Sequence, residues 1–141
     1  MGFGQAIGHC LKNYATFSGR ASRSEYWFFF LFNMLVVALP ASIGAGLVVG
    51  GTTTTTTVDG STSEMSAVAV FGFILILVAI LISLGLVIPN LAVGCRRLHD
   101  RGTSGWLQLL QLVPCGSIVL LIFWLLPSQS ANAYGEGPAK A

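Results

Sequence analysis

The chain has 141 residues, of which 54% are hydrophobic and only 9% are charged. Soluble domains carry about 25% charged residues, so this composition cannot cover a water-exposed surface and indicates an integral membrane protein. The formal net charge of +2, without a basic stripe interleaved with aromatic residues, argues against nucleic acid as a partner.

Residues 1–25 are predicted to be a cytoplasmic N-terminal segment that begins with a short amphipathic helix. The apolar residues that recur there at spacings of three and four are Phe3, Ile7, Cys10, Tyr14 and Phe17. Such a helix either lies in the membrane interface or packs beneath the spans as a lid. Ser22 and Glu25 have the spacing of a capping box, which predicts that the first long helix begins at Arg23.

Three apolar segments are each long enough to cross a bilayer, which takes roughly 20 helical residues. They are span 1 at 26–49, span 2 at 67–93 and span 3 at 106–126. None contains an ionisable acid, base or histidine, which argues against an ion-coupled pump. A cleaved signal peptide is the less favoured interpretation of span 1, because no Ala-x-Ala site follows it. The prediction is an all-α, polytopic membrane protein, with one membrane domain over residues 1–141.

Two further patterns in the sequence concern the connection after span 1 and the packing of helices. Residues 50–66 are a low-complexity polar segment, interpreted as an exposed outer loop. Just before it, Ser42, Gly46 and Gly50 are spaced four apart, a pattern that permits close packing of helices within the chain or between copies.

The run Pro114-Cys115-Gly116 interrupts span 3. As a kink it leaves a single span, which we favour, and the tail at 127–141 is then periplasmic. As a turn it makes span 3 a re-entrant hairpin and returns the tail to the cytoplasm.

Orientation follows from the basic residues. Lys12, Arg20 and Arg23 precede span 1, and three more arginines lie in the basic turn at 94–105. The segment 50–66 contains neither lysine nor arginine. The positive-inside rule therefore places the N-terminus and the basic turn in the cytoplasm.

These charges define the candidate site, a cytoplasmic ion-pair or anion-binding cluster. Its members are Arg20, Arg23, Glu25, Arg96, Arg97, His99, Asp100 and Arg101. Glu25 is expected to pair with Arg96 or Arg97, and Asp100 with Arg20 or Arg23. Five arginines against two carboxylates leave an excess of three positive charges, suited to anionic phospholipid.

Catalytic and metal sites are not predicted. His99 and Asp100 are adjacent, and side chains of adjacent residues on a helix point apart. Cys95 and His99 supply only two metal ligands, although His9 and Cys10 could approach from the N-terminal helix. We therefore predict neither an enzyme nor a bound cofactor.

Three motifs carry a family resemblance over nearly the whole chain. They are FSGRASRSEYWFF at 17–29, RRLHDRGTSGW at 96–106 and NAYGEGP at 132–138. The sequence resembles the YhaH/YhaI-like family of small bacterial inner-membrane proteins, a domain of unknown function. In that family the third motif usually has arginine where this chain has Ala133. The resemblance implies a polytopic bacterial membrane protein and implies no particular activity.

The predicted function is that of a non-enzymatic inner-membrane component whose arginine-rich face binds anionic lipid or a partner protein. The alternative is an oligomeric transporter or channel component. That alternative requires a homo-oligomer in which uncharged polar side chains face inward, namely Asn33, Ser83, Asn90, Gln108 and Gln111.

Overall fold

The structure, a computed structural model, describes residues 2–57 and 60–136. The described chain is built mainly of helices and divides into two compact units. Unit 1 comprises residues 1–32 and 86–141, and unit 2 comprises residues 33–85. The helical class predicted from the hydropathy pattern is confirmed.

The N-terminal helix α1 runs from Phe3 to Lys12 and ends earlier than the apolar spacing predicted. Its buried residues are Ala6 and Cys10, whereas Phe3 remains 38% exposed. The Phe3 ring meets the edge of Phe28, with centroids 5.9 Å apart. Part of this helix therefore packs against the first long helix.

The first long helix consists of α2 (Arg23–Asn33), a π-helical turn (Met34–Ala38) and α3 (Leu39–Gly51). The π-turn ends two residues before Pro40, whose ring nitrogen cannot donate the usual hydrogen bond to the carbonyl four residues earlier. A local widening absorbs this missing bond without ending the helix.

The threonine-rich segment, predicted to be an exposed loop, forms a two-stranded antiparallel hairpin. Strand β1 (Thr52–Thr57) pairs with β2 (Gly60–Met65) in a register that joins Thr52 to Met65 and Thr57 to Gly60. β-Branched threonine favours extended backbone, which explains why a low-complexity run adopts regular structure here.

Helix α4 runs from Ala67 to Asp100 without a break and includes Pro89. Its 34 residues correspond to about 51 Å, longer than a hydrocarbon core of about 30 Å. The first half of the basic turn predicted at 94–105 is therefore the end of this helix.

Two helices, Arg23–Gly51 and Ala67–Asp100, are long and apolar enough to cross a membrane. Only 11% and 17% of their most apolar stretches are buried within the chain. A core helix of a soluble protein would be mostly buried, so these exposed apolar surfaces suit a lipid environment. Two of the predicted spans thus correspond to membrane-length helices.

The third apolar segment is not one continuous helix. Residues Gly105–Leu112 form a 3₁₀-helix, and Gly116–Leu125 form α5 of only 10 residues. Cys115 between them has a left-handed φ of 66°. A Cβ on Gly116 would overlap the Leu110 carbonyl group, so glycine permits the two halves to pack against each other. The segment 106–126, for which a single span was favoured, is interrupted at the Pro-Cys-Gly turn and consists of two short helices that contact each other.

The close helix approach in unit 2 uses glycines other than those predicted. A Cβ on Gly44 would lie 2.7 Å from the Gly72 carbonyl oxygen, so α3 and α4 touch at this point. Apart from the adjoining backbone of its own helix, a Cβ placed on Gly46 or Gly50 would meet no atom of the described chain within 4 Å. The Ser42 hydroxyl donates to the Leu39 carbonyl of its own helix. Within the chain, the spacing-of-four face is not the packing face.

Candidate functional site: an arginine–carboxylate cluster

Glu25 lies near the start of α2 and joins that helix to α1 and α4. The Ser22 hydroxyl accepts the Glu25 backbone N–H at 3.1 Å, one half of the predicted capping box. The Glu25 carboxylate oxygen Oε1 accepts hydrogen bonds from Arg96 Nη1 and from His9 Nδ1, both at 2.9 Å. The Cys10 thiol donates to the same oxygen at 3.6 Å. Of the two arginines considered for Glu25, the structure pairs it with Arg96.

Asp100, at the last residue of α4, is held between two arginines. Arg20 donates to its Oδ1 from Nε at 3.0 Å and from Nη2 at 2.8 Å. Arg97 Nη1 donates to the other oxygen, Oδ2. The side chains of Arg20, Arg97 and Asp100 are 2% exposed or less. Such charge-assisted hydrogen bonds in a buried setting are stronger than neutral ones.

The same arginines bind the backbone of the tail. Arg20 Nη1 donates to the carbonyl oxygens of Ser130 at 3.0 Å and Gly135 at 2.9 Å. Arg97 donates to the carbonyl of Trp124 from Nε and Nη2, and to that of Leu126 from Nη2. These last carbonyls of α5 lack partners within the helix, and a cation at a helix C-terminus is also favoured by its dipole. Arg97 therefore caps α5.

Asn132 of the tail motif is hydrogen-bonded to the end of α4. Its Nδ2 donates to the His99 carbonyl at 3.0 Å, and its Oδ1 accepts the Tyr134 N–H at 2.9 Å. The Tyr134 ring stacks on the His99 ring, with centroids 4.1 Å apart and planes 4° from parallel. All three sequence motifs thus meet within unit 1.

The remaining cluster residues are less completely paired. Arg23 is exposed, and no salt bridge to it is found among the described residues. Arg101 Nη1 donates to the Pro127 carbonyl at 2.6 Å, while its Nε is buried without a hydrogen-bond partner in the described chain. Arg96 is 3% exposed, and its Nε and Nη2 are also buried without a hydrogen-bond partner in the described chain. The cluster is therefore rich in donors.

The geometry does not assemble a general acid–base pair from His99 and Asp100. His99 Nδ1 donates to the Gly19 carbonyl at 3.3 Å, while the Asp100 carboxylate faces the two arginines. Cys95 Sγ contacts the Gly105 carbonyl at 3.5 Å. Among residues 2–57 and 60–136, no three His, Cys, Asp or Glu side chains form a group that could hold a metal ion.

Burial changes the chemistry of one thiol beside the cluster. Burial, and secondly the negative charge of Glu25, raise the pKa of Cys10 to about 12. The thiol is therefore a protonated donor to Glu25 at neutral pH and a poor nucleophile.

Three of the five polar residues considered for a channel line one cavity in unit 1. These residues are Asn90, Gln108 and Gln111. The Ser83 hydroxyl, in unit 2, is satisfied by the Ile80 carbonyl of its own helix at 2.8 Å.

Sequence reasoning missed the carbonyl oxygens of residues 124–135 as arginine partners. Every residue type supplies a carbonyl, so side-chain identity gives no signal for them. The usable signal was the surplus of arginine over carboxylate, since five guanidinium N–H groups per arginine require acceptors.

Comparisons with known proteins identify the family. The family model described as "Protein of unknown function (DUF805)" matches residues 14–136. Inner membrane protein YhaI of Escherichia coli strain K12 is 36% identical over 130 residues, covering 91% of this chain and 90% of YhaI. Inner membrane protein YhaH of the same strain is 34% identical over 130 residues, covering 91% of each chain. No solved structure matches significantly. The chain therefore belongs to the DUF805 family of bacterial membrane proteins of unknown function, and its membrane-length helices and three assembled motifs agree with this membership.

Proposed function

We propose that the protein is a two-span component of the bacterial inner membrane with both termini in the cytoplasm, and that its arginine cluster binds anionic phospholipid. The observation that carries the proposal is the convergence of residues 20–25, 96–101 and 127–135 into one positively charged cluster. The names of the relatives, inner membrane proteins YhaI and YhaH, support the location.

Topology follows from combining charge with the hairpin. The positive-inside rule favours a cytoplasmic location for Arg20 and for residues 96–101. Since the tail bonds directly to these residues, it belongs on the same side. Helix α5 has 10 residues, about 15 Å, which is too short to cross the hydrocarbon core. The hairpin of the 3₁₀-helix and α5 is then re-entrant or interfacial.

Fusions after Ala141 test this topology. We expect a fluorescent-protein fusion to fluoresce and an alkaline-phosphatase fusion to be inactive. A phosphatase fusion after Met65, between the two membrane-length helices, is the matched control and is expected to be active. Phosphatase activity at Ala141 would contradict the proposed topology, because the tail and the cluster would lie on opposite sides.

Anionic lipid binding is supported by the cluster's charge and by its surroundings. Five arginines and two carboxylates leave three positive charges. Arg23 is exposed, and Arg101 is half-buried, so both can reach a headgroup. A cavity of about 610 Å³ adjoins the cluster at His99, and its apolar walls include Phe17, Leu91 and Leu109. An acyl chain fits such walls, while the phosphate stays with the basic residues.

Lipid that co-purifies with the protein in a mild detergent provides the assay. Each basic residue near a membrane surface contributes about 1 kcal/mol, or about fivefold in binding. We expect the ratio of phosphatidylglycerol to phosphatidylethanolamine to exceed that of the starting membrane. Arg23→Gln with Arg101→Gln should lower this ratio by at least about fivefold.

The matched control is Lys12→Gln with Lys140→Gln, which removes the same charge from outside the cluster. The control should leave the lipid ratio close to that of the unmodified protein. An equal loss in both double variants would mean that the attraction is diffuse, and the cluster would not be a lipid site.

A further inference from the structure

A second cavity in unit 1, of about 340 Å³, differs in character from the arginine cluster. Helices α2, α4 and α5 and the 3₁₀-helix all contribute to its walls. The walls are largely aromatic and aliphatic, with Phe29, Phe30 and Val87 among them. None of the described lining residues carries a formal charge. Its size lies at the lower end of the range for ligand pockets, about 300–1,000 Å³.

Two side chains that line this cavity contain unsatisfied polar atoms. Gln108 Oε1 and Trp124 Nε1 are buried, and neither has a hydrogen-bond partner in the described chain. The two residues are only 8% and 9% exposed. A buried polar group without a partner destabilises the folded protein, so two such groups around one cavity indicate that the cavity has an occupant.

Both side chains are held in place by neighbours. A Cβ on Gly94 would overlap the Gln108 amide, so this glycine lets the amide lie against the α4 backbone. The Trp124 ring packs on Tyr26 with centroids 4.8 Å apart, and its carbonyl accepts from Arg97. The terminal amide torsion of Gln108 is soft, so a small rotation can turn Oε1 toward a ligand. The indole, in contrast, is fixed.

We propose that this cavity binds an uncharged amphiphile through a hydroxyl group. A hydroxyl is the simplest group that satisfies both atoms, because it accepts from Trp124 Nε1–H and donates to Gln108 Oε1. A charged headgroup is excluded because the lining offers no counter-charge and burial of an unpaired ion is costly. The apolar walls take the ligand's hydrocarbon part. This cavity shares Leu91 and Gln108 with the lipid cavity described above, but the proposal does not require an anion to be bound at the arginine cluster.

Photolabelling of the full chain in lipid nanodiscs tests the proposal. The probe is a long-chain alcohol that carries a diazirine in its alkyl chain, and labelled sites are mapped by peptide mass spectrometry. Competitors of equal chain length are the unlabelled alcohol, its methyl ether and the alkane. The ether retains the acceptor but loses the donor. We expect saturable labelling within 87–93 and 105–112, with the alcohol competing at about three- to tenfold lower concentration than the ether.

Variants assign the effect to the two orphan atoms. Gln108→Met should remove the difference between alcohol and ether, and Trp124→Phe should weaken competition by both. Matched controls are Gln5→Met and Trp106→Phe, because Gln5 and Trp106 are exposed and neither lines this cavity. The ratio between competitors is read within each variant, so a lower yield of folded protein does not change it. Equal competition by alcohol, ether and alkane in the unmodified protein would overturn the proposal, as would a Gln108→Met variant that keeps the alcohol preference.

Discussion

Replacement of Asp100 by asparagine tests whether the arginine cluster holds the fold together. The substitution preserves shape but removes the negative charge between Arg20 and Arg97, whose side chains are 2% and 0% exposed. Removing one partner of a buried ion pair destabilises a protein by about 3–5 kcal/mol, because the remaining charge stays buried without compensation. Here two guanidinium groups lose the same counter-ion. We therefore expect the free energy of unfolding to fall by at least about 3 kcal/mol.

The assay is reversible unfolding in mild detergent by added dodecyl sulfate, with hydrogen exchange of residues 127–135 measured in parallel. Arg20 and Arg97 also hold the tail carbonyls, so exchange of the tail amides should accelerate together with the loss of stability. Arg23→Gln is the matched control, since Arg23 is exposed and its loss should change stability by less than about 0.5 kcal/mol. If Asp100→Asn unfolded like the control and kept its tail protected, the reasoning from burial and charge would be refuted.

Three further predictions concern single positions. Because the pKa of Cys10 is raised from 9.0 to about 12, its thiolate fraction at pH 8 is about 1,000-fold smaller than that of a free thiol. Maleimide should therefore modify Cys10 only after the protein unfolds. Modification of the folded protein at the rate of a free thiol would contradict this. Gly116→Ala should open the hairpin and raise tail hydrogen exchange, because the added methyl overlaps the Leu110 carbonyl, whereas Gly46→Ala, in open space, should not. Gly72→Ala should lower the unfolding midpoint in dodecyl sulfate, because its Cβ would lie 2.6 Å from the Gly44 carbonyl oxygen. Gly85→Ala is the control, because a Cβ at Gly85 would lie in open space. Equal midpoints for the two variants would argue against close packing of α3 and α4 at Gly72.

The sequence was informative where one physical quantity dominates. Continuous hydropathy located the helices Arg23–Gly51 and Ala67–Asp100, because apolar length alone determines membrane-length helices. The prediction that Ser42, Gly46 and Gly50 form the packing face within the chain was wrong. Spacing identifies faces on which small residues align, but the rotation of α3 decides whether Gly44 or Gly46 meets α4.

Charge complementarity identified the residues of the cluster but not which arginine pairs with which carboxylate. Glu25 had Arg96 and Arg97 as equal candidates, since both lie at the end of one helix. Adjacent helical residues differ by about 100° in direction, so one of them faces Glu25 while the other faces the tail. That choice depends on helix rotation, which no local pattern encodes. The hairpin was similarly ambiguous, because Pro114 and Gly116 occur in both kinks and turns.

The crowding of charge at residues 96–101, in a chain with so few charges, has a structural explanation in the tail. A short helix such as α5 ends with carbonyl groups that need donors, and the irregular segment after it adds more. Water would satisfy them on a soluble protein, but the side chains of Arg20, Arg97 and Asp100, which are 2% exposed or less, exclude it. Arginine supplies five donors in a fixed fork, so Arg20 and Arg97 can bind both Asp100 and several carbonyls. Lysine offers three donors from one point and could not span these acceptors. Arg20 and Arg97 therefore serve first to fold the tail back, and Arg96 binds Glu25. Of the five arginines in the cluster, Arg23 and Arg101 are the ones exposed enough to face an anion.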